Sequence, residues 1–161
     1  VPVVAAVRGH AVAGGCGLAT ACDIVLAAVD ARFGYPEVKI GFLPAMVIAM
    51  LLRATGEKRA LDLVVSGRIV DAETAERYGL VQHVYPSASF DEQSREFAER
   101  LAAHSPSAIA LSKRLIYQTE RHSFEAAIRA GAELNALARM TEDYREGVRS
   151  FLESRRGKGG D

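Results

Sequence analysis

A glycine-rich turn near the start of the chain most constrains what this chain can fold into. It follows an apolar run at residues 1–7 and leads into an Ala-rich segment ending near Asp23, with Gly14, Gly15 and Gly17 at the junction. The unbroken apolar run predicts a strand buried on both faces, and the Ala-rich segment predicts a short helix. This order places unpaired backbone N–H groups and the positive end of a helix dipole at one sheet edge. The sequence therefore predicts a site for negative charge at this turn.

Three interpretations of the glycine turn compete. The first is a dinucleotide-binding turn of the G-x-G-x-x-G type, although Thr20 stands at the third glycine and the next apolar run begins at Ile24. Asp30 keeps this interpretation open, because an acid at the end of the second strand binds ribose in such folds. The second is an oxyanion hole, in which the N–H of Gly14 or Gly15 faces a developing negative oxygen. The third is a tight turn without chemistry.

Further motifs follow the turn in a distinctive order. They are Phe-Gly-x-Pro-Glu at residues 33–37, Gly-x-x-Pro at 41–44, Gly-Glu-Lys-Arg-Ala at 56–60 and Ser-Gly-Arg-Ile-Val-Asp-Ala at 66–72. Together with the glycine turn, this order resembles the crotonase (enoyl-CoA hydratase/isomerase) superfamily. The motifs carry the resemblance over residues 1–86, and helical pattern alone extends it towards the C-terminus.

The resemblance implies an α/β fold, a crotonase-like (ClpP/crotonase) spiral of ββα units. We expect this chain to be the C-terminal portion of that fold, with the N-terminal units absent from it. Residues 1–86 are expected to hold the oxyanion turn and the catalytic glutamate, and residues 87–161 a layer of helices. The resemblance implies that this layer mediates assembly into a homotrimer or a dimer of trimers. The alternative is that these helices pack only on their own domain.

Specific residues match the family's catalytic positions. Gly14 matches the family's oxyanion glycine, and Glu37 matches its second catalytic glutamate. Gly17 stands at the position where hydratases with two catalytic acids carry their first glutamate. The resemblance implies that Gly15, Gly17 and Pro36 contact an acyl-CoA substrate. Addition of water uses two carboxylates, whereas moving a double bond needs one base. The sequence therefore favours isomerisation of 3-enoyl-CoA to 2-enoyl-CoA; hydration of 2-enoyl-CoA, or a non-catalytic role as an oligomer partner, are the alternatives.

The segment after the Gly-x-x-Pro turn departs from many relatives, which carry a glycine-rich turn and a Thr-Gln-Arg-Leu helix there. Here residues 45–52 are apolar throughout and predict a buried helix with Pro44 in its first turn. Met46 and Met50 would lie one helical turn apart and form an adaptable wall of the acyl pocket. They are equally well explained as core residues.

Composition argues against several other classes of protein. The 20 basic and 20 acidic side chains cancel, so neither a nucleic acid nor an anionic membrane is an expected partner. The apolar runs are too short to span a membrane. The spacing of Cys16 and Cys22 fits neither a redox pair nor a zinc site, and no metal is expected. We expect no cofactor beyond the coenzyme A of the substrate, and two reduced thiols favour a cytoplasmic protein.

Overall fold

The computed structural model describes residues 1–120 and 122–156, with side chains in the last helix described to residue 153. These residues form two compact units. The first comprises Val3–Ala98, and the second comprises Val1–Pro2 with the helical segment that begins at Glu99. The functional division predicted at residues 86 and 87 stays a prediction.

The first unit contains two small sheets. In one sheet the order is β1-β3-β6, with both pairs parallel; in the other it is β2-β4-β5, with β2 parallel and β5 antiparallel to β4. The strands are β1 (Val4–Val7), β2 (His10–Val12), β3 (Ile24–Ala28), β4 (Arg32–Gly34), β5 (Ile69–Asp71) and β6 (His83–Tyr85).

The central strand β3, and not β1, is the buried one. Residues 25–28 are buried between the two neighbouring strands, whereas β1 is only partly buried and Val1 is 99% exposed. The strand begins at Val4 because Val3 is engaged differently: its N–H donates to the Asp23 carboxylate at 2.6 Å, and its carbonyl accepts from the N–H of Asp23. The prediction of a doubly buried strand over residues 1–7 is therefore wrong.

The helices of the first unit pack around a core that the strands share. The largest side chains that are completely buried in it include Phe33, Tyr35, Leu51 and Leu63. The helices are α1 (Gly14–Ala21), a 3-10 helix (Pro36–Ile40), α2 (Ile48–Thr55), α3 (Glu57–Ser66), α4 (Ala72–Tyr78) and α5 (Phe90–Ala102), the last of which continues into the second unit.

Helix α2 begins later than its apolar pattern predicts. The N–H of Val47 donates to the Pro44 carbonyl at 3.2 Å, which is the tighter bond of a turn, and Leu51 N–H donates to the Val47 carbonyl at 2.8 Å. Met46 therefore lies in the turn before the helix and is 89% exposed. The prediction that Met46 and Met50 lie in one helix is therefore wrong. The prediction of a helix that is buried on all sides is also wrong, because Leu52 is exposed.

An acidic side chain holds the connection between α3 and α4. The Asp62 Oδ2 atom accepts from Arg68 Nε at 3.1 Å and from the Tyr78 hydroxyl at 2.9 Å. The hydrogen bonds from Arg68, and then from Tyr78, lower the pKa of Asp62. This cluster ties the end of α3 to α4 across β5.

In the second unit a side-chain oxygen caps the start of each of the last three helices. Ser105, Ser123 and Thr141 each accept a backbone N–H three residues on, at 3.1, 3.4 and 3.3 Å, as N-cap residues do. The helices are α6 (Pro106–Thr119), α7 (Phe124–Arg139) and α8 (Glu142–Arg156). No helix among the described residues is both long enough and apolar enough to cross a membrane.

Candidate active site

The glycine turn forms where β2 passes directly into α1. Ala13, between them, has φ 52° and ψ −123°, and is the non-glycine residue with positive φ in the described chain. Its N–H donates to the Gly34 carbonyl, and its own carbonyl accepts from Gly17 N–H, both at 2.9 Å. The Gly17 N–H is therefore the first of the helix to bond within it. The N–H groups of Gly14 and Gly15 belong to the first turn, whose N–H groups have no acceptor in the helix itself.

Open space lies over Gly14 and Gly15. Both residues are exposed, and a Cβ atom added to either would meet no atom within 4 Å. A ligand oxygen therefore has free approach to this turn from the side of the helix N-terminus, where the dipole favours negative charge. The geometry is compatible with an oxyanion site at these residues.

The parallel pairing of β2 and β4 brings Glu37 to the edge that carries the glycine turn. Val12, the last residue of β2, is in register with Gly34, the last of β4. Parallel strands in register end at the same sheet edge, so the chain leaves β2 towards Gly14 and β4 towards Glu37 side by side. Pro36 opens the 3-10 helix that holds Glu37, which fits its fixed φ.

One carboxylate oxygen of Glu37 is buried, although the residue as a whole is partly exposed. Its Oε2 atom is buried and has no hydrogen-bond partner among the described residues. Burial raises the pKa of the nearby Cys16 thiol, and the negative charge of Glu37 raises it further. Burial likewise raises the pKa of Tyr35, whose hydroxyl shares a 2.7 Å hydrogen bond with Thr20. A buried polar atom without a partner is unusual in a folded protein, and this one belongs to the residue that the family motif predicts to be the proton acceptor.

Gly17 is different from the two glycines that precede it. It is buried, and a Cβ atom added to it would overlap Cγ1 of Val47 and lie 3.4 Å from the Val47 Cβ. The structure thus places Gly17 against the turn before α2. Sequence reasoning did not single out Val47. The sequence did contain a signal. This chain departs from the family pattern at two places: it lacks an acid at position 17, and it has bulky residues where many relatives have a glycine-rich turn.

For the remaining predicted site residues, the structure gives only their position in the fold and their exposure. Pro36 is partly buried beside Glu37, Met50 is partly buried in α2, and Met46 is exposed in the preceding turn. The assignment of Met46 and Met50 to an acyl pocket stays a prediction. Within residues 1–120 and 122–156, no group of three or more His, Cys, Asp or Glu side chains is arranged to hold a metal ion.

Solved structures share this architecture. An enoyl-CoA hydratase from Mycobacterium smegmatis matches with a TM-score of 0.91 at 32% identity, over 95% of this chain and 60% of that chain. An enoyl-CoA hydratase from Bacillus anthracis matches with a TM-score of 0.91 at 33% identity, over 95% and 60% respectively. The fold is the crotonase-like α/β fold, as the sequence motifs predicted.

Residues 1–159 match the family model described as enoyl-CoA hydratase/isomerase, and the chain belongs to that family. A Thermus thermophilus protein, described provisionally as an enoyl-CoA hydratase, is 46% identical over 154 residues, which are 96% of this chain and 61% of the relative. The 2,3-dehydroadipyl-CoA hydratase of Escherichia coli is 37% identical over 155 residues, with the same coverage. The chain therefore spans about three fifths of the length of these relatives. The family match argues against the dinucleotide-binding interpretation of the glycine turn.

Proposed function

We propose that the complete protein converts 3-enoyl-CoA thioesters to 2-enoyl-CoA thioesters, with Glu37 as the single proton shuttle and Gly14 as an oxyanion donor. The observation that carries the proposal is the buried, unpartnered carboxylate oxygen of Glu37 at the sheet edge of the glycine turn. No carboxylate accompanies it from position 17, where Gly17 packs against Val47. The reaction needs no cofactor beyond the coenzyme A that the substrate carries.

In the proposed mechanism, the Gly14 N–H donates to the thioester carbonyl oxygen, which becomes more negative as the reaction proceeds. Glu37 takes a proton from C2, and the electron pair of that C–H bond enters a dienolate that extends to C4. The protonated Glu37 then returns the proton to C4, so that the double bond moves from C3–C4 to C2–C3. One carboxylate suffices because the same proton leaves and returns.

Two assays on the purified complete protein test this proposal. Isomerisation creates a double bond conjugated to the thioester, whereas hydration removes one, so absorbance of the conjugated thioester rises in the first and falls in the second. We expect kcat/KM for isomerisation of a 3-enoyl-CoA to exceed that for hydration of the matching 2-enoyl-CoA. Efficient hydration by the unmodified protein would contradict the single-acid mechanism.

Hydration of 2-enoyl-CoA is the second candidate, and the names of the relatives favour it. The Escherichia coli relative is named a hydratase for 2,3-dehydroadipyl-CoA. A hydratase mechanism would require another group to replace the acid missing at position 17. Absence of both reactions would favour the non-catalytic role of an oligomer partner.

We further propose that the complete protein assembles as a homotrimer or a dimer of trimers in the cytoplasm. Several large apolar side chains of the second unit are more than half exposed, and such patches commonly mark interfaces. They include Ile116, Phe124, Ile128, Leu137, Met140 and Phe151. The unpaired thiols of Cys16 and Cys22 suit a reducing compartment. Analytical ultracentrifugation tests the assembly, and a monomer at micromolar concentration would contradict it.

A further inference from the structure

The contact between Gly17 and Val47 has steric consequences for position 17. A Cβ atom at position 17 would overlap Val47 Cγ1 and would also come within 3.4 Å of Val47 Cβ and 3.9 Å of Val47 Cγ2. Gly17 lies inside α1 and is buried. Any residue other than glycine at this position therefore requires Val47 to move.

Val47 is held in place by its backbone and by its packing. Its N–H donates to the Pro44 carbonyl and its carbonyl accepts from Leu51 N–H, which fixes the backbone on both sides. Its side chain is partly buried against the core of the first unit. A β-branched side chain has restricted χ1 freedom, so it does not swing away at low cost.

The obstruction at Gly17 consists of a side chain, and a substitution can therefore remove it. At Gly34, by contrast, an added Cβ would lie 2.7 Å from the Arg68 carbonyl oxygen and 3.2 Å from the Cα atom of Ile69. Those atoms belong to the backbone and cannot be removed by mutation. The two glycines thus form a matched pair, one blocked by a replaceable group and one by the main chain.

We propose that Val47 is a specificity-determining residue. Its side chain occupies the space that a side chain at position 17 would need, and so excludes from this position a carboxylate and the water that such a group would hold. The site is left with Glu37 as its one acid from this segment, and isomerisation is favoured over hydration. This inference rests on the proposed function for its catalytic part. Its steric part depends only on the packing of Gly17 and Val47.

Thermal unfolding of the complete protein tests the steric part. We expect Gly17→Ala to lower the midpoint by about 4 °C or more, because the new methyl group is forced against Val47. In the Val47→Ala background the same substitution should leave the midpoint unchanged or raise it, since space is available and Ala favours helix. Gly34→Ala is the control: Val47→Ala should not rescue it. Equal effects of Gly17→Ala in both backgrounds would overturn the proposal.

The catalytic part is tested with Gly17→Glu, Val47→Gly and the double variant. We expect Gly17→Glu alone to lower the unfolding midpoint without promoting hydration. The double variant should unfold no lower than Val47→Gly alone, because the obstructing side chain is absent. It should also raise the ratio of hydration to isomerisation about tenfold or more, because a second carboxylate can then hold a water. An unchanged ratio in a well-folded double variant would overturn the specificity role. Absence of both reactions in the unmodified protein would instead overturn the proposed function, while the unfolding measurements would still decide the steric part.

Discussion

The N–H of Ala13 donates to the carbonyl of Gly34 at 2.9 Å, and this bond joins the turn that carries Gly14 to the strand that leads into Glu37. The two bonded residues are 21 positions apart in sequence, but β2 and β4 run parallel and in register. The proposed oxyanion donor and the proposed base are therefore positioned by the same ladder of hydrogen bonds. A change in that ladder moves both groups together.

Replacement of the proposed base should abolish most of the activity without unfolding the protein. We expect Glu37→Gln in the complete protein to lower kcat by roughly 10²–10⁴-fold, because the amide cannot accept the C2 proton. Isomerase kinetics and a thermal unfolding curve provide the measurement. Glu76→Gln, which alters an exposed acid on α4, is the control and should retain normal rates. An active Glu37→Gln protein would refute the assignment.

A side chain at Gly14 should impair catalysis far more than stability. An added Cβ there meets no protein atom within 4 Å, so Gly14→Val should fold, but the new side chain would occupy the approach to the turn. Loss of one oxyanion donor lowers kcat by about 10²–10³-fold. Gly147→Val is matched to it, since a Cβ at Gly147 also meets open space, and it should leave the kinetics unchanged. Normal turnover and normal CoA affinity in Gly14→Val would assign the turn a purely structural role.

The backbone strain at Ala13 predicts an unusual response to glycine. With φ at 52°, Ala13 occupies a region that costs a non-glycine residue about 1–3 kcal/mol. We expect Ala13→Gly to raise the free energy of unfolding by about 1 kcal/mol, and Ala13→Val to lower it. Ala21→Gly, at the exposed end of the same helix, should lower it by roughly 0.5–1 kcal/mol. Urea denaturation distinguishes the three variants, and a loss of stability in Ala13→Gly would contradict the strain argument.

Asp62 should contribute to the loss of stability in acid. Hydrogen bonds from Arg68 and then Tyr78 lower its pKa in the folded protein below the usual 3.8. The contribution of a group with a lowered pKa is complete above its unfolded pKa and is lost as the pH falls through the folded value. Between about pH 5 and pH 2, the unfolding midpoint of Asp62→Asn should therefore fall less than that of the unmodified protein. Arg68→Gln should have the same effect, and parallel curves for all three proteins would exclude this contribution.

The features that the sequence predicts well are those decided by neighbouring residues. Ser105, Ser123 and Asp71 cap the helices that follow them because a side-chain oxygen reaches an N–H three residues away. The order of motifs around the glycine turn and Glu37 was also sufficient to identify the family and the fold.

The features that the sequence does not predict depend on partners distant in the chain. The start of α2 was misplaced because the Pro44 carbonyl bonds Val47 in a turn, an arrangement that apolar periodicity does not distinguish from a helix. The contact of Val47 with Gly17 joins residues 30 positions apart, one in α1 and the other in the turn before α2. Strand β3 is buried, and β1 is not, because β3 lies in the centre of its sheet. The order of strands in a sheet cannot be read from the local sequence pattern of each strand.

The different surroundings of the two thiols make α1 open to selective chemical labelling. Thiolates are the reactive form of cysteine; Cys16 is fully buried with a raised pKa, whereas Cys22 is partly exposed at the other end of the helix. An alkylating fluorophore should therefore attach to Cys22 first in the native protein. The dye would report, through the same helix, on events at its glycine-rich end without any engineered cysteine.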